Sequence, residues 1–230
     1  MDAALSTTSE PAPRGALLKT ALAPVLPQIL GSAFNISYNV YVVHPLLDEA
    51  LRRRFTNTVV FYNLAIYPLA VLAWLWVVYS LRGPFHALLG GHDVPAEALD
   101  RARRRVIHLP WLGSLICGVA WLICIPVFIT SLALVEPNLS TQLLWHLPIS
   151  FIVSAFISIT QSFFLIELAS HGGLFPVFFR DVRPDRLRGI HPLSLRGRGL
   201  MWAVSAGICP IGSLLLLSFA PRPMTTSGPW

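Results

Sequence analysis

Between residues 142 and 168 a long apolar run carries an imidazole or hydroxyl at every fourth position: His146, Ser150, Ser154, Ser158 and Ser162, with Gln161 alongside. On a helix, steps of four residues advance about 40°, so these positions form a slowly winding ridge that a neighbouring helix can cross. A flank of this kind faces protein or water, not lipid. The segment therefore predicts an inward-facing membrane span over residues 143–168. Comparable apolar runs predict further spans over residues 17–43, 58–81, 109–135 and 199–220. The pattern predicts an all-α polytopic membrane helix bundle with five transmembrane helices over residues 16–220, a disordered lead over 1–15 and a polar tail over 221–230.

The polar interruptions single out two other spans. The first contains Phe34-Asn35-Ile36-Ser37-Tyr38-Asn39, and side-chain amides in hydrocarbon cost several kcal/mol, by order of magnitude, when unpaired. Asn35 and Asn39, one turn apart, are expected to face other helices, either as interhelical hydrogen bonds or as ligand contacts. The second span opens with Tyr62-Asn63 and Tyr67-Pro68, and its Trp74, Trp76 and Tyr79 suit an interfacial aromatic belt.

The connections read as surface structure. Residues 46–56 suggest a short interfacial helix with Arg52, Arg53 and Arg54. Residues 82–108 read as a polar loop followed by a helix over 95–107 that lies on the membrane surface or leads into the third span, and whose Arg101, Arg103, Arg104 and Arg105 are expected on lipid phosphates. Residues 136–141 close the third and fourth spans into a hairpin, and residues 174–179, too short to span, are expected in the interface.

Composition agrees with a bilayer setting: 54% of residues are hydrophobic, 12% are charged and mean hydropathy is +0.63. A soluble domain carries about 25% charged residues. Of the 17 Lys and Arg, thirteen fall on the side of the amino terminus and the loops before the third and fifth spans, which predicts a cytoplasmic amino terminus. Basic residues dispersed between apolar spans match an anionic membrane face, not nucleic acid. Cys117, Cys124 and Cys209 lie in apolar segments without paired spacing and read as small buried hydrophobes, so no metal or cofactor is expected. An intramembrane enzyme would have to use His146 with Ser150, and no orienting carboxylate lies within reach. No catalytic residue is therefore assigned.

Several motifs occur together: Phe34 to Asn39, Tyr62-Asn63 with Tyr67-Pro68, Arg104-Arg105-Val106-Ile107-His108-Leu109-Pro110, and Phe163-Phe164-Leu165-Ile166-Glu167 followed by Leu174-Phe175-Pro176. In this combination the chain resembles the amino-terminal six-helix membrane domain of bacterial class III adenylate/guanylate cyclases. The resemblance runs over residues 23–220. It implies a receptor-like or regulatory unit in the cell (inner) membrane. The family's sixth helix and catalytic domain have no counterpart in these residues, so cyclase activity is not carried over and the output is expected from a homodimer or a separate cytoplasmic protein.

On this reading Asn35, Tyr38, Asn39, Tyr62, Asn63, His146, Ser150, Ser154, Ser158, Gln161 and Glu167 are candidates for a polar lining that binds a small or lipophilic ligand, or for hydrogen bonds that only fix helix packing. The alternative is a small neutral-solute or lipid transporter or channel. It is disfavoured as an ion-coupled carrier because no charged residue lies mid-span, Glu167 coming nearest.

Overall fold

The computed structural model describes residues 15–182, 195–208, 210–211 and 214. Among them the chain is helical, with no strand, and four helical segments are long and apolar enough to cross a membrane: Ala16–Leu46, Glu49–Leu89, Ala96–Ala133 and Thr141–Gly173. Residues 209, 212–213 and 215–220 of the predicted fifth span, together with residues 1–14, 183–194 and the tail, lie outside the described residues.

The first span comprises α1 (Ala16–Leu22) and α2 (Val25–Tyr38), continued by a π turn over Asn39–Val43 and a short 3-10 turn over His44–Leu46. Then come α3 (Glu49–Tyr79), α4 (Arg82–Leu89), α5 (Ala96–Ala133), α6 (Thr141–Gly173), the single turn α7 (Phe175–Phe178) and α8 (Leu195–Ala203), which runs into a π turn over Val204–Ile208. Two long helices start at side-chain caps. Asp48 accepts from the Leu51 amide at 2.8 Å and Ser140 from the Leu143 amide at 3.3 Å, each satisfying one of the donors a helix start leaves free.

The connections differ in part from the separate helices and loops that the pattern suggests, and in part follow it: the 95–107 helix does lead into the third span. The interfacial helix and second span form one 31-residue rod, α3, and the surface helix and third span form one 38-residue rod, α5. At 1.5 Å per residue α5 is about 57 Å long against about 30 Å of hydrocarbon, so it extends well beyond the apolar layer. Pro110 does not end it: the proline forfeits one backbone bond, and burial of Val106, Leu109 and Pro110 holds the helix together across it. Part of the expected polar loop is α4, which buries Phe85. In residues 174–179, expected in the interface, Leu174 and Phe178 are fully buried within the protein, and Phe178 meets Phe85 with ring centroids 6.2 Å apart.

Packing is divided between the ends of the bundle. At one end Leu17, Trp74, Val78, Phe85, Val106 and Phe178 form one apolar cluster; at the other Val43, Leu51, Phe55, Phe128, Leu147 and Phe151 form a second. α6 contributes to both through Ile166 and Phe151. It is also the central post: half of its apolar window is buried, against 22% for the second span. The four-residue serine repeat accounts for this. Ser150, Ser154, Ser158 and Ser162 are fully buried, and small residues four apart let helix backbones approach. Gly31 of α2 meets this stripe where a Cβ would lie 1.9 Å from Ser158 Oγ.

Candidate functional site

α2 packs along α6 and α3 packs along α5, which leaves a cleft between the first two spans with α5 behind it. Its volume is about 300 Å³, at the lower end of the range for small-molecule pockets, roughly 300–1,000 Å³.

One wall is a polar stripe on the first span. Gln28, Ser32, Asn35 and Asn39 line the cleft, and their spacing of four, three and four residues places them within about 60° of one another on a helix. The stripe is held by neighbours on three helices. Trp121 Nε1 donates to Gln28 Oε1 at 3.1 Å, and Gln28 Nε2 donates to Cys117 Sγ at 2.8 Å. Ser32 and Tyr67 share a hydroxyl hydrogen bond of 3.0 Å that bridges the first two spans. Asn35 Nδ2 donates to Ser150 Oγ at 3.3 Å, and Asn39 Nδ2 donates to Asn35 Oδ1 at 2.9 Å. Asn39 is only 5% exposed, and among the described residues its Oδ1 has no hydrogen-bond partner.

The remaining walls are mainly apolar and aromatic. Phe128 of α5 stands at the centre of a ring cluster, with centroids 5.3 Å from Phe55, 5.9 Å from Tyr62 and 5.0 Å from Phe151. The Tyr62 hydroxyl donates to the Ala120 carbonyl, which fixes the ring against α5. Exposed Ile36, Val40, Asn63 and Tyr67 mark the mouth, where the cleft opens on the outer surface of the bundle. Among the described lining residues there is no Asp, Glu, Lys or Arg.

The structure separates the predicted lining residues. Asn35, Asn39, Tyr62 and Asn63 come together in the cleft. Tyr38 and His146 instead bond each other, Tyr38 Oη to His146 Nδ1 at 2.8 Å, beside the cleft rather than in its lining. Ser150, Ser154 and Ser158 lie in the α2–α6 contact, where they donate to the carbonyls of Leu147, Ser150 and Pro27 at 2.8, 2.7 and 3.3 Å. Ser150 and Ser154 have spent their only proton on carbonyls one turn earlier and Ser158 has spent its proton on α2, so all three donors are used within the helix contact. Gln161, half-buried on α6, is not among the lining residues. Glu167 is near the far end of α6, where Arg198 of α8 pairs with it and His171 Nε2 lies at 3.8 Å.

The arginine cluster also separates. Arg103 is buried and donates through Nε to the Phe178 carbonyl at 2.7 Å, so it does not reach lipid phosphates. The reason is geometric: it falls on the face of α5 that carries Ala102 and Val106 into the core. Arg105 donates to Ser80 Oγ at 2.5 Å and stands 5.9 Å over the Trp76 ring, whereas Arg101 and Arg104 are exposed.

Gln28 and Ser32 are lining residues of the first span that the motif reading missed, as it missed the polar His44, Thr56 and Tyr67. Extending the Asn35–Asn39 spacing back by seven and three residues lands on Gln28 and Ser32, so periodicity was the available signal. Cys117 and Cys124 are both buried, as expected, but Cys124 also borders the cleft. Among the described residues no three His, Cys, Asp or Glu side chains form a group able to hold a metal. No family model matches the chain, and neither a curated protein nor a solved structure matches it.

Proposed function

We propose that the chain is an integral membrane sensor or regulatory module, comparable to the membrane domain of class III cyclases, that binds a small or lipophilic ligand between its first two spans. The observation that carries this reading is the cleft itself, where a stripe of two asparagines, a glutamine and a serine meets an aromatic wall. Polar side chains at membrane depth are costly unless they are paired, and a stripe beside a cavity exceeds what helix packing requires. Five spans, a cytoplasmic amino terminus and an inner-membrane location complete the proposal, on the strength of the basic loops.

Transmission to the other end would run along α6. This helix touches the stripe through Ser150 and holds α8 through the Glu167–Arg198 pair and through Phe164, whose ring centroid is 5.3 Å from that of Trp202. A ligand that favours one arrangement of the first two spans shifts the bundle only if it binds that arrangement more tightly. The test is hydrogen exchange on the full chain in lipid nanodiscs, with and without a lipid extract of the source membrane. Slower exchange in residues 28–43 and 55–67 together with a change in 164–203 is expected. A change confined to the cleft would contradict transmission. Efflux of uncharged solutes from proteoliposomes would replace this reading with a carrier.

A further inference from the structure

We propose that the ligand class of the cleft is an uncharged, ring-bearing lipophile with an O–H or N–H donor, entering sideways from the bilayer between the first two spans. This rests on the reading of the cleft as a ligand site and names its chemistry. Three observations converge on it.

The first is Asn39. Its carboxamide is 95% buried, borders the cleft and keeps Oδ1 without a partner among the described residues. Its own nitrogen is already engaged by Asn35, so the unmet requirement is for a donor. The second is charge. No Asp, Glu, Lys or Arg lines the cleft, and its one imidazole, His44, sits in the 3-10 turn at the end of the first span with its ring edge-to-face on Phe55, so an ionised ligand beside the asparagines would be desolvated with no fixed counter-charge. The third is the ring cluster of Phe55, Tyr62, Phe128 and Phe151, with Trp121 next to it. Rings that already meet edge to face present further edges and faces, and a flat ring gains more from them than a flexible chain does. The route follows from the mouth at Ile36, Val40 and Tyr67, exposed residues that all lie within the two apolar spans.

The experiment uses the full chain in phosphatidylcholine nanodiscs and radiolabelled 2-naphthol, with partition into protein-free discs subtracted. Saturable binding of one molecule per chain is expected. Two competitors separate the elements of the claim: 2-methoxynaphthalene keeps the rings and lacks the donor, and decan-1-ol keeps the donor and lacks the rings. 2-Methoxynaphthalene is expected to compete at least about tenfold more weakly than unlabelled 2-naphthol, the size of effect that one lost hydrogen bond produces, and decan-1-ol is expected to compete more weakly than 2-naphthol because it forgoes the ring contacts. Asn39→Leu is expected to weaken binding by about tenfold, and Val59→Trp, which fills the cleft from α3, to abolish it.

Equal competition by 2-methoxynaphthalene, or unchanged binding to Asn39→Leu, would overturn the donor requirement. Equal competition by decan-1-ol would overturn the ring requirement in favour of aliphatic lipids. Saturable 2-naphthol binding without any exchange response in residues 164–203 supports the ligand class and contradicts the regulatory reading. A lipid-extract response in those residues, without saturable 2-naphthol binding, overturns the ligand class and leaves the regulatory reading in place.

Discussion

Gly31 and Ser158 meet where α2 crosses α6, so closely that a Cβ on Gly31 would lie 1.9 Å from the serine Oγ and 3.1 Å from the Ser154 carbonyl oxygen. Membrane helices associate through packing of this kind, since lipid tails are as apolar as the helices' own side chains. Gly31→Ala is therefore expected to lower stability by about 1–3 kcal/mol. Adding Ser158→Ala should recover part of that loss, because it removes the hydroxyl and leaves the carbonyl in place. Thermal unfolding of the four proteins in detergent checks this, and purely additive losses would contradict it.

Arg103 and Arg104 are adjacent in sequence and differ in role. Arg103 is buried against the Phe178 carbonyl, and Arg104 is exposed. Replacing Arg103 with Met should cost about 1.5–3 kcal/mol, the worth of a charged hydrogen bond together with its unmet acceptor. Arg104→Met should stay within about 0.5 kcal/mol. Denaturant unfolding of both variants decides whether α7 is clamped as described.

Gln28 accepts from the Trp121 indole, and Trp121 is 7% exposed. Gln28→Leu leaves a buried N–H without its acceptor, a loss of about 1–3 kcal/mol. It should also shift the part of the fluorescence emission that disappears in Trp121→Phe. An unshifted Trp121 component would mean that the indole does not depend on Gln28.

Much of the architecture was legible in the sequence. Membrane spans follow from long apolar runs, and four of the predicted runs coincide with helices long enough to cross. The connections were less legible, because local punctuation misled. His108-Leu109-Pro110 looks like a helix start, yet α5 continues through it, since buried neighbours outweigh one missing backbone bond. Asn35, Asn39, Tyr62 and Asn63 were legible as site residues because amides and hydroxyls stand out against hydrocarbon. The serine repeat was legible as an inward face with lining and packing both open, and its close approach to Gly31 in another helix was not legible. Helical spacing sets Arg103, not Arg104, on the face of Ala102 and Val106, but its acceptor, the Phe178 carbonyl 75 residues away, was not legible.

α8 is joined to α6 through Arg198 and Glu167. Arg198→Met is expected to speed amide exchange across Leu195–Ala203 while leaving the Ser150–Ser158 part of α6 unchanged. Glu167→Gln should produce a similar effect, and the double variant little more than either alone, as for partners in one interaction. Independent, additive effects would mean that the two residues do not hold α8 together.

The most direct test of a ligand cleft between the first two spans is photo-crosslinking in native membranes, with a benzophenone amino acid placed at Ile36 in the mouth or at Ile29, which is 58% exposed and outside the lining. After irradiation the adducts are identified by mass spectrometry. The account predicts a discrete uncharged small-molecule adduct at position 36, suppressed by 2-naphthol, and only phospholipid chains at position 29. The same phospholipid adducts at both positions, unaffected by 2-naphthol, would contradict it.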